Sequence, residues 1–322
     1  MNLITIEDFK EAAYKLKLRG FRFILSKFNF QSKNRTISAF NQTDIETANY
    51  WDIPKIKNHW NNLISGDENC GYEDFVVSEY LSDRFNLKML SIGCGGGHHE
   101  LRFAKYPNFS SITGIDIAPL LIAKANKISE EQGFTNLNYK VADFYKLEAN
   151  NQEYDVVHFY ASLHHFKPTA QILEKVKKIL KKDGYLIVHE YVGANRFQFP
   201  GHQIYAINDL LQKIPEKFRI KYKSQQVKTK FVVPGLITMF LADPSEAADS
   251  ESIRPNLKKL FSTVYEAELG GNLLQLLFKD IAHHFVQTTD ETSKILTDVF
   301  EAEKVYIENK SSDLIFGIYQ NK

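Results

Sequence analysis

Leu90-Ser91-Ile92-Gly93-Cys94-Gly95-Gly96-Gly97-His98 is the stretch on which the fold turns. An apolar run reads as a buried strand, glycines follow as a turn, and a helical pattern opens directly behind them. Missing side chains let a backbone approach a ligand closely, and the unpaired N–H groups at a helix start point outward. A dinucleotide fingerprint G-x-G-x-x-G needs a glycine at its sixth position, which counted from Gly93 is His98. The loop fits G-x-G-x-G instead, although by itself it would also serve tight packing.

Outward from this stretch the pattern alternates. Strands are predicted over residues 88–93, 111–115, 137–141, 154–159 and 185–190, with helices over 72–85, 97–105, 119–132 and 169–181. Pro168 and the pair Asp183-Gly184 read as start and stop signals of the last of these helices. Such a rhythm predicts an α/β fold with a doubly wound, mostly parallel sheet. Beyond residue 192, helices over 207–213, 250–261, 272–285 and 291–303 surround strands over 263–269 and 314–319. The two strands are expected to close a Rossmann-like seven-stranded sheet, and the helices to form an α-helical cap over its ligand edge. Residues 1–67 are then an N-terminal cap segment, 68–192 the binding core, and 193–322 further cap helices with the last two strands.

Two acids stand at matching places. Asp116, in Gly114-Ile115-Asp116-Ile117, follows Gly97 by 19 residues, about where a carboxylate accepts both hydroxyls of a ribose. Asp143, in Val141-Ala142-Asp143-Phe144, can accept an adenine amino group while Phe144 offers an apolar wall. Singly, each acid could be a cap or turn residue.

The ordered strings LSIGCGGG, GIDIA, VADFY, YDVVHFYASLHHF and LKKDGYLIVHEY, over about residues 88–192, resemble the motifs of class I S-adenosylmethionine-dependent methyltransferases. The resemblance implies S-adenosyl-L-methionine as cofactor and S-adenosyl-L-homocysteine as product. It places the cofactor's amino-acid part on the loop of Gly93, Cys94, Gly95 and Gly97, its ribose on Asp116 with Ile117 beside it, its adenine on Asp143 and Phe144, and its methionine moiety next to Tyr160. Many members carry an acid where this chain has Ser91. Glu100, in the first turn of the next helix, can take that role towards the cofactor's ammonium, though the helix dipole alone also favours an acid there. Residues 191–199 and 243–247 loosely resemble stretches of bacterial methyltransferases of small-molecule and surface-glycan pathways. Arg196, Gln198 and Glu246 are candidate substrate contacts there, Glu246 alternatively a helix cap.

Methyl transfer from a sulfonium is an in-line displacement that needs an aligned nucleophile and, for a hydroxyl or protonated amine, a base. At the carboxyl edge of the sheet the candidates are His164, His165 and Glu190. One of the histidines can instead cap the next helix, and Glu190 can instead be a hydrogen-bonded core group. His283, in the doublet His283-His284, could be laid over the substrate by the helix predicted there, with His284 in its apolar stripe. No metal is expected, because adjacent histidines on a helix point about 100° apart and the i, i+4 pairing H-E-x-x-H is missing.

Composition narrows the remaining choices. With 25% charged and 43% apolar residues the chain is an ordinary globular one, and a formal net charge of +1 offers no field for nucleic acid. The 2 cysteines fit neither a disulfide framework nor a zinc spacing, which points to reduced thiols and a cytoplasmic location. No integral membrane segment or signal peptide is expected, although residues 15–35 interleave bases with aromatics as either a solvated helix face or a membrane-surface segment would. The expectation is a methyltransferase acting by base-assisted displacement on oxygen or nitrogen of a small molecule, with a lipid-linked or glycan precursor among the candidate substrates and no nucleic-acid partner. The alternatives are an NAD(P)-dependent oxidoreductase and a non-catalytic protein that binds the same cofactor.

Overall fold

The computed structural model describes residues 3, 4, 8, 49–148 and 150–322. The basic segment at 15–35 lies outside the described residues, as does most of the expected cap segment 1–67. Strands β1 (Leu87–Ile92), β2 (Phe109–Asp116), β3 (Leu137–Val141), β4 (Tyr154–Tyr160), β5 (Leu180–Tyr191), β6 (Phe261–Gly270) and β7 (Leu314–Asn321) form a 7-stranded sheet in the order β3-β2-β1-β4-β5-β7-β6. The first five strands pair in parallel, while β7 runs antiparallel to both β5 and β6. The expected doubly wound Rossmann-like sheet of seven strands, closed by its last two, is what forms.

The central strands are buried on both faces, as parallel strands between helix layers must be. In β4, Val156, Val157 and Phe159 are wholly buried, and in β1 Met89 and Leu90 point to opposite cores. Helices α1 (Pro54–Ser65), α2 (Tyr72–Tyr80), α3 (His98–Phe103), α4 (Pro119–Glu131), α5 (Thr169–Ile179), α6 (Gly201–Lys213), α7 (Leu236–Ala242), α8 (Ile253–Leu260), α9 (Leu274–Phe278) and α10 (Asp290–Ile307) cover the sheet and its edge. One core lies under α5 and α8. The other runs under α1, α2, α3 and α10 and continues into the segments after β5. Among the described residues no helix is long and apolar enough to cross a membrane.

Several boundaries differ from the sequence reading for local reasons. The helix expected over 272–285 is broken: α9 ends at Phe278, Asp280 has φ 68°, and a 3-10 turn follows over Ala282–Phe285. Asp183-Gly184 does not follow a helix end at 181, because α5 stops at Ile179 and the chain is already extended from Leu180. Gly184 is needed there for close strand approach, since a Cβ would meet the Asp155 carbonyl at 2.9 Å. The helix expected over 250–261 divides into a 3-10 turn, Ser250–Ser252, and α8. Helices α1 and α7 were not read from the sequence.

The strand order reverses between β1 and β4, and this is where open α/β sheets leave a crevice at the carboxyl ends of their strands. The glycine loop follows β1 and the His164-His165 doublet follows β4, so the topology alone brings the two together.

Candidate active site

Backbone hydrogen bonds lock the loop after β1. Gly93 N–H and Cys94 N–H both donate to the Ile115 carbonyl, at 2.8 and 3.1 Å, and Gly97 N–H donates to the Cys94 carbonyl at 3.0 Å. Gly97 precedes α3 with φ 78°, and a Cβ there would drive into the Tyr139 ring. No other residue fits both restraints. The loop is tied to β2 by Asp116, whose Oδ2 accepts from Gly95 N–H at 2.9 Å while its Oδ1 accepts from Ala118 N–H at 2.8 Å. Burial pushes the Asp116 carboxyl up from its ordinary value, and the amides of Ala118 and Gly95 hold that rise back.

A cavity of about 590 Å³ opens over this loop. Gly93, Cys94, Gly95, Asp116, Ile117, Asp143, Phe144 and Tyr160 all line it. Gly97 and Glu100 do not. Phe144 is buried with its ring edge-on to Phe166, and the Lys175 ammonium lies 4.7 Å from its centroid. Tyr160, at the end of β4, has its hydroxyl pKa pushed up to about 12 by burial and by the carboxylates of Glu73 and Glu190.

Glu100 sits beneath the loop. Ser91 Oγ donates to Glu100 Oε1, His158 Nδ1 lies 3.1 Å from the same hydroxyl, and Tyr72 OH lies 3.1 Å from His158 Nε2. Glu100 thus brings a carboxylate against the Ser91 hydroxyl, beneath the loop and not on the cavity's lining. Burial works against the charged form of Glu100, but His158, His99 and Ser91 outweigh it and hold the carboxyl below its ordinary value. Its Oε2 is buried with no hydrogen-bond partner among the described residues.

Beyond β4, the doublet stands on a 3-10 turn, Leu163–His165, which sends adjacent side chains about 120° apart. His164 turns inward. Its Nδ1 bonds Glu190 Oε1, and its Nε2 lies 3.3 Å from Glu246 Oε1. Burial would lower its pKa, but Glu190 and Glu246 together carry it up to about 10. With both nitrogens engaged, and not among the residues lining the cavity, His164 as it stands is an imidazolium clamp, which corrects its reading as a general base.

Glu190 is wholly buried and accepts from the backbone N–H groups of Ser162, Leu163 and Tyr191, at 2.8, 2.6 and 2.7 Å, besides His164. Burial opposes its charge, but His164 and these amides hold the carboxyl below its ordinary value. It lies behind the cavity wall, so of its two readings the hydrogen-bonded one matches its surroundings.

His165 does line the cavity. Ser245 Oγ donates to Asp243 Oδ1 at 2.7 Å and so accepts from His165 Nδ1–H at 3.0 Å, which makes Nε2 the acceptor nitrogen. Burial, reinforced by the neighbouring His164, lowers the His165 pKa. His283 is placed elsewhere: the break at Asp280 turns it onto the Tyr222 ring at 5.1 Å, and it is not among the cavity's lining residues. The lid role read for it is corrected accordingly. His284 Nε2 bonds the Ile220 carbonyl at 2.8 Å.

Segment 243–248 closes this end of the cavity. Arg196 lines the space, donates through Nη1 to the Glu246 carbonyl at 2.9 Å and stacks over Phe240 at 4.6 Å. Gln198 does not line it, and its amide bonds the Arg196 and Pro234 carbonyls. Burial disfavours the Glu246 carboxylate, but His165, His164 and Arg196 hold its pKa down to about 2. The sequence reading missed Ser162, whose Oγ donates to the Ile92 carbonyl at 2.7 Å, together with Ser245 and Asp243. No local pattern marks these residues; 80 positions separate His165 from Ser245.

Residues 83–246, just over half of the 322-residue chain, match the family described as a methyltransferase domain. The chain belongs to that methyltransferase domain family. A ubiquinone biosynthesis O-methyltransferase from Actinobacillus pleuropneumoniae serotype 7 (strain AP76) is 32% identical over 115 residues, 34% of this chain and 48% of that one. A malonyl-[acyl-carrier protein] O-methyltransferase from Paenibacillus sp. (strain JDR-2) is 30% identical over 122 residues, 37% of this chain and 43% of that one. The methyltransferase-family chain therefore spans about half the length, or less, of these curated relatives. Its fold is similar to that of the Haemonchus contortus phosphoethanolamine N-methyltransferase 2 solved with S-adenosyl-L-methionine. That likeness has a TM-score of 0.50 at 13% identity and covers 89% of this chain and 60% of the other.

Proposed function

We propose that the protein transfers the methyl group of S-adenosyl-L-methionine to an oxygen or nitrogen of a small molecule. One observation carries this reading: a single cavity joins a cofactor half, with Gly93, Gly95, Asp116 and Asp143, to a polar half with His165, Arg196 and Ser245. The acceptor's electron pair forms the new bond to the methyl carbon as the carbon–sulfur bond breaks, its electrons pass to sulfur, and S-adenosyl-L-homocysteine leaves. The acceptor's proton departs at the polar end, where His165 is the member of the doublet that faces the space. Closure by 243–248 supports a displacement shielded from water.

A small molecule suits the cavity of about 590 Å³. An apolar chain on the acceptor, as in a lipid-linked or glycan precursor, is supported by Ile237, Phe240 and Leu241 of α7, which are 41, 47 and 45% exposed, with Phe240 beside Arg196. We place the protein in the cytoplasm, with no nucleic-acid partner, on its free Cys70 and Cys94 and its net charge of +1.

The test is calorimetry with S-adenosyl-L-homocysteine against NADH, then methyl-label transfer from labelled cofactor into a lysate with mass identification of the product. Binding of the homocysteine compound and a labelled small molecule are expected. Tight NADH binding without any for the homocysteine compound would overturn the reading in favour of an oxidoreductase.

A further inference from the structure

We propose that His164, His165 and Glu246 hold a divalent transition-metal ion of the zinc class at the acceptor end of the cavity. Candidate ligand atoms of these three residues lie within 4.8 Å of one another. They come from two segments, the turn after β4 and the bend at 243–248, which are brought together only by the fold. Adjacent histidines alone cannot hold an ion, and only the fold brings Glu246 to them.

The spacing fits an ion. A charge-assisted N–H···O bond is about 2.8 Å long, whereas His164 Nε2 and Glu246 Oε1 stand 3.3 Å apart. Two ligands each about 2.0–2.1 Å from a tetrahedral ion are separated by about 3.3 Å. An ion would take the place of the proton these two atoms share.

Both imidazoles also have the outer support that metal-bound histidines carry, in which the nitrogen turned away from the ion donates to a carboxylate or to a carboxylate-backed group. His164 Nδ1 bonds Glu190, whose orientation is fixed by three backbone amides. His165 Nδ1 bonds Ser245 Oγ, which in turn donates to Asp243. The nitrogen opposite is Nε2 in each ring, leaving a matched pair.

Backbone geometry around the cluster is unusual in the same place. Ala161, Arg196, Phe197 and Ala247 have φ of 45, 55, 52 and 45°, left-handed values at non-glycine residues, and all lie on the segments that converge here. Left-handed backbone persists where the surroundings over-determine it and gathers at functional sites.

Two imidazoles and one carboxylate favour zinc, iron or manganese over magnesium or calcium, which prefer all-oxygen sites. Three protein ligands leave a position open, as in catalytic rather than structural sites. His165 borders the cavity, so that position is available to an acceptor hydroxyl. Bound there, the hydroxyl is acidified: its proton leaves to solvent, the oxygen keeps the electron pair and attacks the methyl carbon, and the carbon–sulfur bond breaks as before. In this form His165 is a ligand, not the proton acceptor. The inference rests on the methyltransferase reading only for this last step; the site itself does not.

The test uses the full chain stripped with a chelator and titrated with Co²⁺ by visible absorption and with Zn²⁺ by competition with a chromophoric chelator. S-adenosyl-L-homocysteine affinity is measured on the same samples. Expected are one equivalent of either ion, the intense visible bands of a four- or five-coordinate cobalt, and no competition from Mg²⁺. Glu246→Gln and His165→Ala should each weaken ion binding at least tenfold, and Asp243→Asn about tenfold through Ser245, with homocysteine-compound affinity within threefold of the parent. Absence of stoichiometric binding, or unchanged binding in Glu246→Gln and His165→Ala, overturns the site. Should one of these variants not fold, the other and Asp243→Asn decide. Ion binding without any affinity for the homocysteine compound would sustain the site while refuting the methyltransferase reading.

Discussion

Replacing Asp116 separates the ribose contact from the support of the loop. Its Oδ1 and Oδ2 already accept from Ala118 N–H and Gly95 N–H, and the residue lines the cavity, so the remaining lone pairs are available to a diol. Hydrogen bonds to a charged group contribute about 1.5–3 kcal/mol each. Water replaces the ribose in the free protein, so the lower end applies, giving about 3 kcal/mol for two bonds, or roughly 150-fold in Kd. Asp116→Ala should therefore weaken S-adenosyl-L-homocysteine by about two orders of magnitude, and Asp116→Asn, which keeps one acceptor and loses the charge, by about tenfold. Calorimetry supplies the affinities and urea unfolding of the free protein reports how much the orphaned Gly95 N–H costs. If both variants bind within threefold of the parent while unfolding normally, the ribose is not at Asp116 and the cofactor half of the cavity has been misplaced.

Three further outcomes are expected. His165→Ala should lower turnover at least about a hundredfold and leave S-adenosyl-L-homocysteine affinity within threefold; equal loss of both in kinetics and calorimetry would make it a structural histidine. Gly97→Ala forces an alanine into φ 78° with its Cβ against the Tyr139 ring, which should cost about 2–4 kcal/mol in urea unfolding, and an unchanged midpoint would contradict the packing. Burial pushes Glu303 from 4.5 up to about 7, against the pull of the Leu274, Leu273 and Asn272 amides. The folded chain then holds a proton that the unfolded chain has released, so this stabilisation is complete below pH 4.5 and disappears as pH rises through 7. Urea midpoints should fall by the equivalent of about 3 kcal/mol over that window, and a Glu303→Gln variant that keeps the same slope would refute the assignment.

The glycine loop, Asp116 and Asp143 were legible in the sequence because each is fixed by its own βα unit, within a few residues of a strand end. Ser91 was legible in a second way. An expected acid was missing, and the next acid along, Glu100, meets the Ser91 hydroxyl from the first turn of α3, although beneath the loop and outside the cavity's lining. The apolar stripe through Leu273, Leu274, Leu277, Phe278, Ile281 and Phe285 misled for a physical reason. Two short helical pieces bury their side chains in one core and so keep helical spacing, while the left-handed turn at Asp280 between them leaves no trace in periodicity. The meeting of Glu246 and Ser245 with the doublet could not be read at all, since nothing near residue 164 encodes a partner 82 positions away.

The doublet is best understood as one device with two outlets. On a 3-10 turn, burying one histidine requires its neighbour to point elsewhere, and here Glu190 on β5 takes His164 while the cavity receives His165. Because the outer nitrogen of His164 reaches Glu246, it also pins segment 243–248 to the sheet edge. His164→Gln leaves Glu190 as a buried carboxylate without a cation and Glu246 with Arg196 alone, a loss on the order of 3 kcal/mol. Its first effect should be on that closure and not on the cofactor half, which His164 does not touch. Hydrogen exchange should show 243–248 losing protection while β1 and its loop keep theirs, with turnover falling and S-adenosyl-L-homocysteine affinity within threefold. Unchanged protection of 243–248 would mean that Arg196, the His165–Ser245 bond and the backbone bond from Ala248 N–H to the His164 carbonyl suffice to hold the segment, and that the His164 side chain serves the sheet rather than the closure.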